Sequence, residues 1–233
     1  MIIAGLQKLT LIDYPAKVAA IVFTYGCNFF CSFCHNPELV DPKLKDKNKF
    51  ISQEEFFQFL NSRKGLIEGI CITGGEPTLY EDLGEFISQI KSLGFLVKLD
   101  TNGTNSEIVK DLIDKKLVDY IAMDIKAPFD RYEKITRRKA DLKEIKKSIK
   151  IIMDSRLDYE FRSTLVPDFH GLSDVEEIAR LIKGARNYYL QSFVSQGKIL
   201  EPVWQNKRSF TPAEMEEFQE VAKPFVEKCE IRM

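Results

Sequence analysis

No stretch of this 233-residue sequence stays apolar for the roughly 18–20 residues that a membrane-spanning helix needs, so a membrane is not an expected partner. Neither sign of charge is in surplus: 34 Lys and Arg stand against 35 Asp and Glu, a formal net charge of −1. Such a balance generates no long-range field to draw in DNA or RNA, and nucleic acid is not an expected partner either. The segment from Met1 to Pro15 lacks a basic flank, an apolar run and a small-residue cleavage site. Export is therefore not expected, and a cytoplasmic location is. Low-complexity tracts and internal repeats are missing, as is a second cysteine-rich stretch beyond Pro37. The cysteines number five, an odd count, with Cys27, Cys31 and Cys34 close together. In a cytosolic protein such a cluster reads as metal ligation rather than disulfide bonding.

Apolar material is ample, at 44% hydrophobic residues with 17 Phe and 8 Tyr, enough for the core of one domain spanning residues 1–233. Short β-rich runs at 18–24, 69–73, 96–100, 119–123, 159–165 and 188–193 alternate with helical patterns. Several of these runs are apolar on both faces, as strands covered on both sides must be. Helix starts are legible at Ser52 with Glu55, at Ser173 with Glu176, and at Thr211, Pro212 and Glu214. Amphipathic segments cover 80–93, 105–115 and 141–154, and a last helix is expected over about 211–228. The charged stretch 42–49 reads as a connector, and the basic stretch 136–147 as the solvated face of a helix. About six βα units, with a core over about 16–195, predict an α/β fold. Their strands should be parallel, in a partial, open barrel of the TIM type. In such sheets function collects at the carboxyl ends of the strands.

Chemistry is densest just after the first of these strands, in Tyr25-Gly26-Cys27-Asn28-Phe29-Phe30-Cys31-Ser32-Phe33-Cys34-His35-Asn36-Pro37. Three thiolates on one short loop can hold three corners of a cubane iron–sulfur cluster, whereas four would close the site. With three, one iron keeps an open position for a substrate, as catalytic metal sites do. A zinc site would need a fourth ligand from His35, which directly follows Cys34, or from Cys71. Cys71 lies mid-strand and also reads as a small buried hydrophobe, and Cys229 as a structural residue.

Later strands also run out into polar residues. Thr73-Gly74-Gly75-Glu76 follows the second, Asp100-Thr101-Asn102-Gly103 the third and Asp124-Ile125-Lys126 the fourth, while Arg162 lies on the fifth. Two glycines would let backbone approach a ligand closely, and Glu76 offers an acceptor for an ammonium group. Each segment also has a plain structural reading. Gly-Gly-Glu suits a tight strand-to-helix turn, Asp, Thr and Asn suit helix caps, and Arg162 suits a surface ion pair. Four polar strand ends in register favour a shared site. His170 reads as a loop residue without a role.

The spacing Cys-x3-Cys-x2-Cys resembles the signature of the radical S-adenosylmethionine (SAM) superfamily. The resemblance implies a 4Fe-4S cluster on Cys27, Cys31 and Cys34, with SAM chelating the open iron and Phe33 near its adenine. The Gly74-Gly75-Glu76 segment looks like the family motif that binds the methionyl amine. Asp100, Thr101, Asn102, Asp124, Lys126 and Arg162 match pocket positions of glycyl-radical-enzyme activases, while the sixth strand carries Gln191-Ser192-Phe193 where some activases place a histidine. The opening, Gly5-Leu6-Gln7-Lys8-Leu9-Thr10-Leu11-Ile12-Asp13-Tyr14-Pro15, resembles that of anaerobic ribonucleoside-triphosphate reductase activating proteins. What this implies is reductive cleavage of SAM and hydrogen abstraction from a glycine of a partner glycyl radical enzyme. It also implies a flavodoxin- or ferredoxin-type electron donor. A radical enzyme acting on a small molecule, of the 7-carboxy-7-deazaguanine synthase kind, and a non-catalytic metal-binding module are the competing readings.

Overall fold

The β-branched and aromatic runs all enter one sheet. The computed structural model describes residues 1–46 and 49–233. Its strands are β1 (Ile3–Thr10), β2 (Ala19–Thr24), β3 (Gly69–Gly74), β4 (Leu96–Thr101), β5 (Tyr120–Asp124), β6 (Asp158–Leu165), β7 (Tyr188–Ser192) and β8 (Cys229–Arg232). They lie side by side in chain order. β2 to β8 are parallel, and β1 runs antiparallel to β2. The first and last strands do not pair, so the barrel is open, as expected.

The expected strands are β2 to β7, and two more flank them. β1 carries Gly5, Gln7 and Lys8 and is half-exposed along most of its length, so it lacks the two-sided apolar signal of the others. β8 is only four residues long and follows a helix.

The helices are α1 (Pro37–Val40), α2 (Gln53–Ser62), α3 (Leu83–Ser92), α4 (Ser106–Asp114), α5 (Tyr132–Thr136), α6 (Leu142–Asp154), α7 (Leu172–Leu181) and α8 (Pro212–Ala222). Among the described residues, none is long and apolar enough to cross a membrane. Ser52 caps α2 by accepting the Glu55 N–H, and Thr211 and Glu214 close a reciprocal capping box on α8. α7 starts earlier than Ser173 implied. Gly171 is its N-cap, and the Asp174 carboxylate accepts the Gly171 N–H at 2.8 Å. α8 stops at Ala222 rather than near 228, because Pro224 cannot donate the next helical hydrogen bond.

The basic stretch from Thr136 is not one helical face. Thr136 is buried at the end of α5, Arg137 turns left-handed at φ 54°, and α6 begins only at Leu142. Of the 42–49 connector, Pro42–Leu44 form a 3-10 turn under an Asp41 cap, and residues 47 and 48 lie outside the described residues.

Period-two alternation sorts the sheet into two faces. Val97, Leu99, Ile121, Met123, Tyr159 and Phe161 belong to the main core on the convex, helix-covered side, with Phe56 stacked on Phe86 at 5.2 Å. Their neighbours Lys98, Asp100, Asp124, Glu160 and Arg162 alternate with them and belong to the concave face. A small apolar floor of Tyr14, Ala19, Ile21 and Cys71 closes one end of that face. Gly69 makes room for it, since a Cβ there would stand 2.8 Å from the Tyr14 ring.

The convex core carries the stability of the fold. Phe56→Ala, at a fully buried position, is expected to lower unfolding stability by about 3–5 kcal/mol. Urea denaturation of the two proteins measures this.

Candidate active site

Backbone hydrogen bonds tie down the cysteine loop after β2 from several sides. Phe30 N–H donates to Thr136 O at 2.8 Å, and Gly26 N–H donates to Leu39 O at 2.7 Å. Leu200 and Glu201 donate to the carbonyls of Cys34 and Ser32 at 2.9 and 3.0 Å. Side chains add a second anchor: Asn102 Nδ2 donates to Asn28 Oδ1 at 2.8 Å, joining the loop to the end of β4.

The Gly-Gly-Glu turn docks against the same loop. Gly75 N–H donates to Thr24 O at 2.9 Å and Glu76 N–H to Gly26 O at 2.8 Å. A Cβ on Gly75 would sit 1.9 Å from Gly26 O, and Gly74 has φ +112°. The glycines thus admit a neighbouring backbone, and both also line the cavity described below.

Glu76 is buried and tied to its neighbours. Its Oε1 accepts from Thr78 N, Thr78 Oγ and Thr101 Oγ at 3.1, 2.6 and 2.7 Å. Among the described residues its Oε2 accepts only from Asn102 N, at 2.6 Å. A carboxylate offers about four lone-pair sites over two oxygens, so Oε2 retains capacity for one more donor. Burial raises this carboxyl above the usual range, and the donors pull it back in part.

Arg162 organises the strand ends beyond. Its Nε donates to Asp124 at 2.8 Å and its Nη1 to Asp100 at 3.0 Å. Lys126 donates to Asp124 at 2.9 Å, and Lys98 to Asp100. Burial alone would raise both aspartates, yet Arg162 with Lys98 and Arg162 with Lys126 more than offset it and hold both carboxyls low. Burial also opposes the Lys126 ammonium, but Asp124 and Cys31 outweigh it and keep it charged. The Arg162 guanidinium is therefore engaged by protein carboxylates, in a buried network rather than a surface ion pair.

Cys27, Cys31, Cys34, Phe33, Gly74, Gly75, Glu76, Asp100, Thr101, Asn102, Asp124, Lys126 and Arg162 all line one cavity of about 220 Å3. The sequence did not single out Phe29, Asn36, Val40, Thr73 and Thr164, which line it too. Thr164 was accessible to reasoning, because it lies two positions from Arg162 on the same face of β6. Phe33 packs on Phe169, Phe193 and Trp204 with ring centroids 6.0–6.4 Å away. His35 bonds the Val194 carbonyl at 2.6 Å through Nε2 and leans on Phe193. His170 has a part after all: Nδ1 accepts the Val166 N–H at 3.0 Å, and Nε2 donates to the Lys126 carbonyl at 2.9 Å.

All five cysteines are free of disulfides. Burial pushes the Cys27 thiol up to about 12 and Cys31 up to about 11, and raises Cys34 too. Buried thiols of this kind yield their protons to a positive metal centre rather than to water. Three thiols lining one cavity are a donor set that fits an iron–sulfur cluster.

An open, parallel α/β barrel with a thiol-bearing loop at the mouth of its strands defines a class of metal-cluster enzymes. The sequence profile of the Radical SAM superfamily matches residues 21–183, and the chain belongs to that superfamily as a radical SAM enzyme. A candidate glycyl-radical enzyme activating enzyme of Methanocaldococcus jannaschii is 35% identical over 238 aligned residues, covering 99% of this chain and 95% of the relative. A second such candidate from the same organism is 31% identical over 78% of this chain and 68% of its own. Among solved structures, Streptococcus suis SuiB bound to S-adenosylmethionine shares the fold at TM-score 0.65 and 13% identity, over 91% of this chain and 52% of its own. A domain of pyruvate-formate lyase-activating enzyme from Bacteroides vulgatus does so at 0.58 and 15%, over 71% and 99%.

Two substitutions test the site's architecture. Removing the cation in Arg162→Met leaves Asp100 and Asp124 with one lysine each and should cost about 1–3 kcal/mol at pH 7. In the wild type the depressed aspartates contribute stability above their unfolded pKa, lost only as pH falls through the lower folded values. In the variant the same carboxyls rise, so acidification toward pH 5 should narrow the deficit, as denaturant titrations at both pH values would show. Gly75→Ala should destabilise by about 1–3 kcal/mol through overpacking against Gly26. It should also loosen the cysteine loop, readable as faster amide exchange at Glu76.

Proposed function

We propose that Cys27, Cys31 and Cys34 ligate a 4Fe-4S cluster, and that the chain activates a glycyl radical enzyme. The observation that carries this reading is the single cavity shared by the three thiols and the polar ends of β3 to β6. The match to a candidate activating enzyme over nearly the full length of both chains supports it. With the cluster and SAM bound, the chemistry supplied is reductive cleavage of SAM to methionine and a 5′-deoxyadenosyl radical, which abstracts hydrogen from a glycine of the partner.

The residues of the chain divide the work. Glu76 Oε2 accepts the methionyl ammonium beside Gly74 and Gly75. Thr101, Asn102, Asp100 and Asp124 offer hydroxyl, amide and carboxylate groups to the ribose and methionyl parts. Arg162 and Lys126 hold the two carboxylates in place. Phe33, backed by Trp204 and Phe193, gives the adenine an apolar face. The opening segment Gly5 to Pro15 favours anaerobic ribonucleoside-triphosphate reductase as the partner. A flavodoxin- or ferredoxin-type protein is the proposed electron donor, and the uncrosslinked cysteines suit a reducing cytoplasm. Probable GTP 3′,8-cyclases also match, but over 43% of this chain and 31% of their own length, which leaves substrate choice open to the rest of the barrel.

The test is anaerobic reconstitution with iron and sulfide, reduction, and addition of SAM, followed by chromatography for 5′-deoxyadenosine. Wild type should release it, and Cys27→Ala, Cys31→Ala and Cys34→Ala should not. With the host's anaerobic ribonucleotide reductase added, electron paramagnetic resonance should show a glycyl radical. Deoxyadenosine without a radical in any glycyl radical enzyme of the host would sink the activase assignment.

A further inference from the structure

Positive charge gathers on one stretch of this nearly neutral chain. Residues 134–150 hold eight Lys and Arg against two carboxylates, Asp141 and Glu144, while the whole chain has a formal net charge of −1. Elsewhere helices pair cations with carboxylates one turn away, as in Lys110 with Asp114 on α4 and Arg180 with Glu176 on α7. Here, among the described residues, only Arg137 and Lys147 are paired, with Glu201 and Glu144. Arg138, Lys139, Lys143 and Lys146 are exposed, and no described residue supplies them with a carboxylate. They crowd the start of α6, where the helix dipole disfavours cations. Mutual repulsion and the dipole both oppose this arrangement, so folding does not account for it.

The stretch abuts the cysteine loop from outside the active-site cavity. The Thr136 carbonyl accepts the Phe30 N–H at 2.8 Å, and the Arg138 guanidinium lies over the Phe30 ring, 5.5 Å from its centroid. Arg137 is joined to Glu201, whose N–H donates to the Ser32 carbonyl at 3.0 Å. Phe30 and Ser32 are the chain neighbours of Cys31 on either side, so cations flank a proposed cluster ligand. None of the eight lines the cavity itself. A partner held here gains nearness to the cluster without entering the site. The cations also span the end of α5, the turn after it and the first turns of α6, too broad a face for a small anion.

We infer that this basic face docks an acidic protein that donates single electrons, with the donor's redox group brought over Phe30 and the Cys31 segment. The inference rests on the cluster reading and names the surface that serves it. In the step, one electron leaves the donor, which is oxidised, and enters the cluster, which is reduced; no bond forms or breaks. Unpaired surface cations suit a transient partner, because they speed encounter by steering and add little to residence.

The experiment uses the anaerobically reconstituted full chain and a flavodoxin of net negative charge. Anisotropy of the labelled flavodoxin measures binding, and stopped-flow absorbance follows reduction of the cluster by its reduced form. The triple variant Arg138→Glu, Lys139→Glu, Lys143→Glu should weaken binding and slow reduction by about tenfold or more at low salt. Added salt should narrow the gap by screening. A control triple, Lys8→Glu, Lys64→Glu, Lys183→Glu, makes the same change in net charge elsewhere and should stay near wild type. Photoreduction with uncharged 5-deazariboflavin bypasses the docked donor. After it, all three proteins should release equal deoxyadenosine, showing that they fold, hold the cluster and bind SAM. Equal flavodoxin binding and reduction in wild type and the first triple would overturn the inference, whatever affinity for RNA or for the reductase that variant loses. So would an equal loss in both triples, or no binding by the wild type. A wild type that holds no cluster, or releases no deoxyadenosine after photoreduction, would instead sink the cluster reading.

Discussion

One guanidinium holds the concave face of this barrel together. Arg162 reaches from β6 to Asp124 on β5 and Asp100 on β4, so a single side chain spans three strands at the level of the site. Two lysines then complete the neutralisation from β4 and from the turn beyond β5. A buried network of this kind does little for stability, because the desolvation of each ion nearly cancels its attraction to the next. What it provides is position. Each carboxylate has its charge stabilised and its rotamer restrained by two cations, so the polar wall facing the cysteine loop is preorganised.

The opposite wall depends on steric constraint instead of charge. Gly75 lets the turn after β3 touch Gly26 backbone to backbone, and Glu76 then bonds the end of β4 from the same turn. The cysteine loop, the Gly-Gly-Glu turn and the Asp100–Asn102 strand end therefore behave as one welded unit. Tyr14 supplies the matching constraint at the far end of the barrel. Its ring occupies the space that Gly69 leaves free and packs against Tyr120 at a centroid distance of 6.1 Å.

Much of this was legible in the residues, and the gaps have physical causes. β2 to β7 could be read because they are short β-rich runs, several apolar on both faces, and most end in polar residues. β1 could not, since an edge strand with one exposed face resembles a loop, and four residues at β8 carry no periodicity. The loss of β8 hid Arg232 and so the pairing of Glu160. The polar strand ends were found because their common position implied a common site, although spacing could not show that Glu76 bonds Thr101 and Asn102. His170 looked idle for the same reason. Its partner, the Lys126 carbonyl, lies 44 positions away in the chain, and only the fold brings them together. A glycine pair announces close approach without saying what approaches, and here a neighbouring stretch of the chain's own backbone is part of the answer.

The two faces of the sheet answer to different demands, and this explains why an enzyme of this size can keep a charged interior. On the convex side, closely packed Phe, Ile and Leu bury the apolar surface that makes folding favourable. On the concave side almost every inward position beyond the floor is ionic or hydrogen-bonding, which would be a poor choice for stability alone. Because adjacent residues on a strand point to opposite faces, Phe161 serves the core while Arg162 serves the site, one position apart. Chemistry on the concave face can then change residue by residue while the convex packing stays intact. The interior can remain polar, charge-matched and open along one side because the core it does without lies on the other face of the same strands.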